Sequence, residues 1–412
     1  MKTSWQIRPL SEVCQFSNGL WKGEQPPFVN VGVIRNTNFT KEGFLDDSDI
    51  AYLDVETKKF AKRRLQYGDI VLEKSGGGPK QAVGRVALFD KQEGEFSFSN
   101  FTSALRVREP NDLDFRFLHK FLYWIYISGV TEQMQSHSTG IRNLDGDAYK
   151  AINIGIPPIA EQERIVGILN QAFEAIATAK ANTERNLQNA RAIFESHLDL
   201  VFSYQGDWEE DLVGSICVVK HGFAFDGSDF SSDVPEGYPK VITPGNFTED
   251  GKLLFNKKNT KRFKGKAPAA FIFDIGDLVV VMTDLSSKMK ILGKPAFVES
   301  SDVLHNQRIG RVSFTDDRIE KRYLYYYMMS ENYLRSIRGS ATGTMVKHTA
   351  PKRIMSNLIR FPHDRKVQQE IVTKLDSLRQ ETLRLEAIYQ RKLSALESLK
   401  SSLLREAFSA RL

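Results

Sequence analysis

The stretch GIPPIAEQERIV, Gly155–Val166, decides how the chain folds. Its two prolines end the extended segment before them, because proline cannot donate to a strand ladder and restricts the residue ahead of it. From residue 160 to 203 there is then no proline and a single glycine, Gly167. Apolar or small residues fall at Ile165, Leu169, Ala172, Ile176, Ala179 and Thr183 and continue through Ala190 and Ile193, with one polar residue at Asn186. Steps of four and three sustained over more than four turns predict a coiled-coil helix rather than a core helix. At 1.5 Å per residue its length is on the order of 65 Å.

This stretch has a degenerate partner, RFPHDRKVQQEIV at Arg360–Val372, in which Pro362 answers Pro157 and Ile371-Val372 answers Ile165-Val166. The same frame then runs through Ile371, Leu375, Leu378, Thr382, Leu385, Tyr389, Leu396, Leu399 and Leu403. Upstream, WQIRPLSEVC from Trp5 returns as WEEDLVGSIC from Trp208, with Cys217 answering Cys14. GDIV at Gly68 returns as GDLV at Gly276, and Thr139-Gly140 as Thr342-Gly343. The offsets, 203 to 208 residues, drift as loops of unequal length require. They far exceed the roughly 20–50 residues of a solenoid repeat. The chain is therefore a tandem duplication of one domain and one following helix.

Each front segment alternates short apolar strands with glycine, proline and asparagine turns: FVNVGVI, GDIVLEKS, GRVALF and SALRVRE in the first, GDLVVVM, GKPAFVE and RIGRVSF in the second. Helical spacing predicts one helix over about Phe115–Gln135 and another over Lys321–Ile337. The expected fold is α+β: domains at 1–156 and 206–362, long helices at 157–205 and 363–412. Pairing of those helices within the chain as an antiparallel coiled coil gives a pseudo-twofold.

The 412 residues suit two or three domains. With 41% hydrophobic and 26% charged residues, and no apolar run near the roughly 18 residues of a membrane span, the chain reads as globular, and the cytoplasm is the expected compartment. Both cysteines, Cys14 and Cys217, sit in apolar runs and are expected to be buried thiols. The net charge of +6 is unevenly spread: 20 basic against 19 acidic residues in 1–159, 24 against 20 in 206–365. Clustered basic loops fit a polyanionic partner. The densest basic run is NTKRFKGK, Asn259–Lys266, either a solvated hairpin tip or a loop that grips phosphates.

Catalytic patterns are missing. Ser75-Gly76-Gly77-Gly78 lacks the ending that places a P-loop lysine on phosphate, and no GxGxxG follows a strand. Seven histidines fall without metal-ligand spacing. Gln25-Pro26-Pro27-Phe28 resembles the loop of adenine methyltransferases, but Gln replaces its first residue and no glycine-rich cofactor motif lies nearby. Asp69 with Glu73-Lys74 faintly resembles a nuclease metal site, yet Asp277 in the other copy is followed by VVVMT; Asp after Gly is ordinary turn chemistry. We expect no cofactor, no metal and no catalysis.

The order of domain, long helix, domain, long helix resembles the specificity subunits of Type I restriction-modification systems. GIPPIAEQERIV and its partner carry the resemblance, with the STG and ATG loops, GDIV and GDLV, and NQRIGRV at Asn306. It covers the whole chain and departs at the second helix start, where HDRKVQQ stands for PIAEQE. The resemblance implies a non-catalytic scaffold for double-stranded DNA, each front domain a target recognition domain reading one half of a split, asymmetric site. It implies helices that act as a ruler and dock two methyltransferase subunits, with restriction and translocase subunits joining through the complex.

Base edges are read by Arg, Lys, Asn and Gln, while Ser, Thr and backbone N–H groups settle on phosphates. In the first domain the candidates are Ser75, Lys80, Gln81 and Arg85, then Thr139 and Arg142. In the second they are Ser286 and Lys288; Asn306, Gln307 and Arg308; Thr342 and Lys347. For each, a solvated loop residue is the competing reading. Phe173, Phe194, Phe202, Leu404 and Phe408 lie off the heptad seam and are expected to meet partner helices. A coiled-coil adaptor whose heads bind proteins is the alternative; it accounts for the architecture but not for the basic loops. An RNA reader would need exposed aromatics for stacking, whereas the 11% present sit mostly in strand and helix patterns.

Overall fold

The computed structural model describes residues 5–409, apart from 21–22, 78–80, 139–140, 205 and 227. The chain forms two compact units, residues 1–184 with 391–412 and residues 185–390. Each unit combines a head with a segment of both long helices, so neither follows chain order.

In the first unit, strands Cys14–Asn18, Thr102–Val107, Ile70–Glu73 and Val86–Leu88 form an antiparallel sheet in that order. A second sheet sets Phe28–Ile34 between antiparallel Ala51–Glu56 and parallel Phe96–Phe98. Helix Phe115–Ile127 is capped by Asp114, which accepts from Arg116 N and Phe117 N. It ends earlier than its periodicity predicts because Gly129 takes a left-handed φ of 79°, and a short 3-10 turn and the strand Gln135–Ser138 follow.

The second unit repeats this plan: Cys217–His221, Ile309–Phe314, Leu278–Val281 and Pro295–Phe297 form the antiparallel sheet, and Lys240–Val241 lies parallel to Val303–Leu304. The helix predicted over Lys321–Ile337 is two, Lys321–Met329 and Glu331–Gly339. Ser330 between them is extended and fully buried, its hydroxyl bound to Tyr327 O at 2.7 Å and the Glu331 N–H to Asp199 Oδ1 at 2.9 Å. Cys14 and Cys217 are buried free thiols, and burial pushes both up to about 12.

The long helices span Ile159–Phe202 and Arg365–Phe408, 44 residues each. In the first unit Lys180 meets Glu397 and Phe173 meets Lys400; in the second Arg191 meets Glu386 and Phe194 meets Arg379. Rising numbers on one helix meet falling numbers on the other, so the pairing is antiparallel. The heptad frame fails at two equivalent places. Ile193 and Leu399, 206 residues apart, were expected in the seam but are 60% and 47% exposed, and Asn186 is exposed too. Beyond them the buried face of each helix turns toward a head, and the buried positions shift to Phe194 and Leu198 in one and Leu404 and Ala407 in the other.

This shift corrects the reading of the off-seam residues. Phe408 packs on Phe117, Phe121 and Trp124 at 5.3–5.7 Å, and Leu404 is fully buried in the same core. Phe202 packs on Tyr323 and Tyr327 at 5.1 and 5.8 Å, and Phe194 is buried beside Tyr326. Phe173 lies against the first core between two ammonium groups, Lys120 and Lys400. Apolar surface expected to seek a partner is already covered by a head of this chain. Burying one such side chain is worth about 1.5–3 kcal/mol, which locks helix to head.

Candidate nucleic-acid interface

The central strand of each main sheet ends at a residue whose backbone joins three loops. In the first head this is Lys74: its N–H donates to Phe101 O at 3.0 Å, and its carbonyl accepts from Leu144 N at 2.8 Å. In the second it is Met282: its N–H donates to Arg308 O at 3.0 Å, and its carbonyl accepts from Thr349 N at 2.9 Å. The same bonds gather the loop after the strand, the turn before the next sheet strand, and the loop ahead of the long helix.

In the first head Ser75–Gly77 pairs with Ile141–Leu144, which pairs with Gln135–Ser138. Ser75 Oγ donates to Asn143 Oδ1 at 2.6 Å, and Arg142 reaches Gln135 Oε1 at 3.4 Å, so these two predicted residues share one small sheet. Arg85 is committed inward. It grips Glu73, which is 1% exposed, through two bonds of 2.8 and 2.9 Å, and donates to Asn36 O at 3.0 Å. Those bonds raise the guanidinium further above its usual range, against desolvation. Gln81 is exposed, and with its amide carbonyl turned inward it accepts from Arg85 at 3.2 Å. Lys80 and Thr139 lie outside the described residues.

In the second head Thr283–Asp284 pairs with Lys347–His348. Asp284 closes the following loop by accepting from Ser286 N at 2.8 Å and Ile291 N at 3.0 Å, leaving Ser286 and Lys288 exposed. Asn306 is buried and structural: its Oδ1 accepts from Arg308 N at 3.0 Å, which sets Gln307 and Arg308 outward on a tight turn. Thr342 is exposed and accepts from Arg353 at 3.4 Å, while Lys347 Nζ is held by Gly343 O at 2.8 Å. Thus Gln307, Arg308 and Thr342 stand with outward side chains around the Met282 junction and Asn306 shapes their turn, while Ser286 and Lys288 are exposed on the Asp284 loop, where Lys288 also lines a cleft with Arg191 and Glu195 of the central helix. Neither head holds a group of metal-ligating side chains among the described residues. Asp69 caps its turn and binds Arg106, as Asp277 does with Arg311.

The sequence does not mark Lys74 or Phe101 as nucleic-acid contacts, the latter 45% exposed where the second head carries Arg308. Sequence reading also passed over Asn38 and Asn246, buried in matching turns. Each accepts from the backbone three residues earlier, Arg35 N and Thr243 N, and donates to two later carbonyls. Their signal was in plain view, the pattern N-F-T-x-x-G at Asn38–Gly43 and Asn246–Gly251.

The model of the type I restriction modification DNA specificity domain matches the chain twice, over residues 2–187 and 205–395. The chain is 25% identical over 280 residues to the type I restriction enzyme MjaVIII specificity subunit of Methanocaldococcus jannaschii, which covers 62% of this chain and 64% of that protein. It is 22% identical over 439 residues to the StySPI specificity subunit of Salmonella potsdam, covering 99% and 89%. Among solved structures, a chain from work on complex assembly and conformational transition of the type I R-M system superposes with a TM-score of 0.78 at 17% identity, covering 100% of this chain and 99% of that one. The HsdS subunit from Thermoanaerobacter tengcongensis gives 0.60 at 16%, covering 100% and 98%. These structural likenesses show the fold. The chain spans 64%, 34% and 43% of the first three curated relatives it matches. With two matches that together take in most of its length, the chain belongs to the family of the type I restriction modification DNA specificity domain.

Proposed function

We propose that the chain is the DNA sequence-specificity subunit of a type I restriction-modification complex, each head reading one half of a bipartite, asymmetric target. One observation carries this reading. The two heads build the same three-loop edge on the same backbone junction and then furnish it differently, with Gln81, Phe101 and Arg142 around Lys74 but Gln307, Arg308 and Thr342 around Met282. Equal frames with unequal side chains suit two readers of unlike half-sites. Arg, Lys and Gln there meet base edges, and Ser, Thr and backbone N–H groups meet phosphates.

The segments 1–156 and 206–362 act as the target recognition domains. The long helices set the gap between half-sites and dock two methyltransferase subunits, with restriction and translocase subunits joining the assembly in the cytoplasm. The subunit itself supplies no chemistry. Among the described residues no helix is long and apolar enough to cross a membrane. For docking, the central helix offers Ile193 and Leu200, 60% and 67% exposed, flanking a shallow cleft with Ala192 and His197. A patch of that kind fits a partner helix.

Sequencing methylated sites in cells that carry the chain with type I methyltransferase subunits tests the reading. The expected result is one motif of two unlike half-sites across a fixed gap. A contiguous motif, or no motif, refutes it.

A further inference from the structure

Positions on the central helix and their counterparts on the C-terminal helix differ by 206. In the first unit Lys180 Nζ meets Glu397 Oε1 at 2.6 Å, and in the second Arg191 Nε meets Glu386 Oε1 at 3.2 Å. The counterpart of Lys180 is Glu386, and the counterpart of Glu397 is Arg191. The duplicated bridge has therefore exchanged its signs, with the cation on the central helix and the carboxylate on the C-terminal helix in both units. A second pair has exchanged its partners too. The Phe173 ring takes Lys400 at 5.1 Å, and the Phe194 ring takes Arg379 at 5.1 Å, although Arg379 is the counterpart of Phe173 and Phe194 that of Lys400.

The apolar lock shows no exchange. Leu404 and Phe408 enter the first core, and their counterparts Leu198 and Phe202 pack in the second, Leu and Phe in each. Apolar burial thus cannot distinguish a central helix from a C-terminal one, because either presents the same residues to a head. The polar pairs can. A central helix set antiparallel on a copy of itself puts Lys180 against Arg191 twice. A C-terminal helix on its own copy puts Glu386 against Glu397 twice and Arg379 against Lys400 twice. Like charges facing each other disfavour both assemblies, whereas opposite ones favour the pairing seen.

We propose that these exchanged pairs are a pairing code. They direct a central helix onto a C-terminal helix, in the same chain or in a second copy with complementary charges, and reject a helix of its own kind. The inference rests on the helix seam alone and stands whatever the heads read.

Full-length variants test it. K180E/R191E makes both helices acidic at the coded positions, and E386K/E397K makes both basic, so each alone sets like charges together in both units. Each is expected to melt several degrees below the parent chain. K180E/R191E/E386K/E397K, with every bridge reversed, is expected to regain the parent melting temperature. Co-expressed under different tags, the two double variants are expected to co-purify as a helix-exchanged heterodimer, and to do so better than two differently tagged parent chains, which can satisfy every pair within one chain. A double variant that is insoluble alone and soluble with the other reports the same code. The proposal is overturned if the fourfold variant melts no higher than the doubles, or if the doubles co-purify no better with each other than with themselves.

Discussion

Gln162 and Gln368, 206 residues apart, make the same three hydrogen bonds. Gln162 Oε1 accepts from Asp114 N at 2.8 Å, and its Nε2 donates to Asp112 O at 2.8 Å and Pro157 O at 2.7 Å. Gln368 Oε1 accepts from Glu320 N, and its Nε2 donates to Arg318 O and Pro362 O, all at 2.8 Å. Both side chains are fully buried. Asp114 and Glu320 are the caps of the head helices, so each glutamine ties the first turn of a long helix to the cap of the helix it packs against.

Replacing either glutamine by alanine is expected to leave three backbone groups unpaired, one buried and two part-buried. An unsatisfied buried polar group costs about 1–3 kcal/mol, so each substitution should fall within that range. Glutamate should not rescue, because an ionised carboxylate cannot donate to two carbonyls. Urea unfolding measures the loss, and Gln369→Ala, at an exposed neighbour, should change stability by less than about 0.5 kcal/mol.

The second helix start looked degenerate because HDRKVQQ shares little with PIAEQE, yet Gln368 is the residue the fold requires and it is present. The duplication, the α+β heads and both long helices were legible because they rest on local periodicity and spacing. The fates of Phe173, Phe194, Phe202, Leu404 and Phe408 were not. A heptad count sees only a helix facing a helix, whereas Phe194, Phe202 and Phe408 face tyrosines and phenylalanines of the heads, far away in sequence. The inward pairing of Arg85 was hidden for a related reason, since its partner Glu73 stands out in the sequence only within the faint Asp69, Glu73-Lys74 pattern.

Arg85 and the pair Lys288 with Arg308 should therefore behave differently. Arg85→Ala leaves the buried Glu73 carboxylate uncompensated, and breaking such a pair costs roughly 3–5 kcal/mol. The variant should lose stability in the first head, read by thermal unfolding. Lys288→Ala with Arg308→Ala touches exposed side chains and should leave unfolding unchanged. It should relax recognition of one half-site only, by about 1–3 kcal/mol for each base edge no longer read. Competition binding with DNA altered in one half at a time separates the two halves.

Lys120 gives a pH test with a definite sign. It is 5% exposed, lies over the Phe44 and Phe173 rings, and is pushed down to about 8 by burial, with Lys400 adding to the effect. An unfolded lysine titrates near 10.4, so between about 8 and 10.4 the unfolded chain binds the extra proton and stability rises with pH. The destabilising contribution is full below about 8. Lys120→Met should raise the melting temperature at pH 7 and abolish this alkaline rise. A Lys120→Met protein that keeps the same slope between pH 8 and 10 would assign the titration to another group.

The ruler is the last prediction, and the seam dictates how it must be tested. Bridged positions on the two helices sum to 577 in both units, 180 with 397 and 191 with 386. Four residues inserted in the central helix alone would change that sum on one side and break the pairing of one unit. Four residues after Glu184 matched by four after Gln390 leave the internal register of each unit intact. Four residues also make about one helical turn, so the seam keeps its face. The added helix is about 6 Å long, against about 3.4 Å per base-pair step along one strand. The matched variant is expected to methylate the same two half-sites with the gap lengthened by one base pair or two, as read from the methylated sites in cells. An unchanged gap with methylation intact would mean that the helices do not set the spacing and serve only to dock partners.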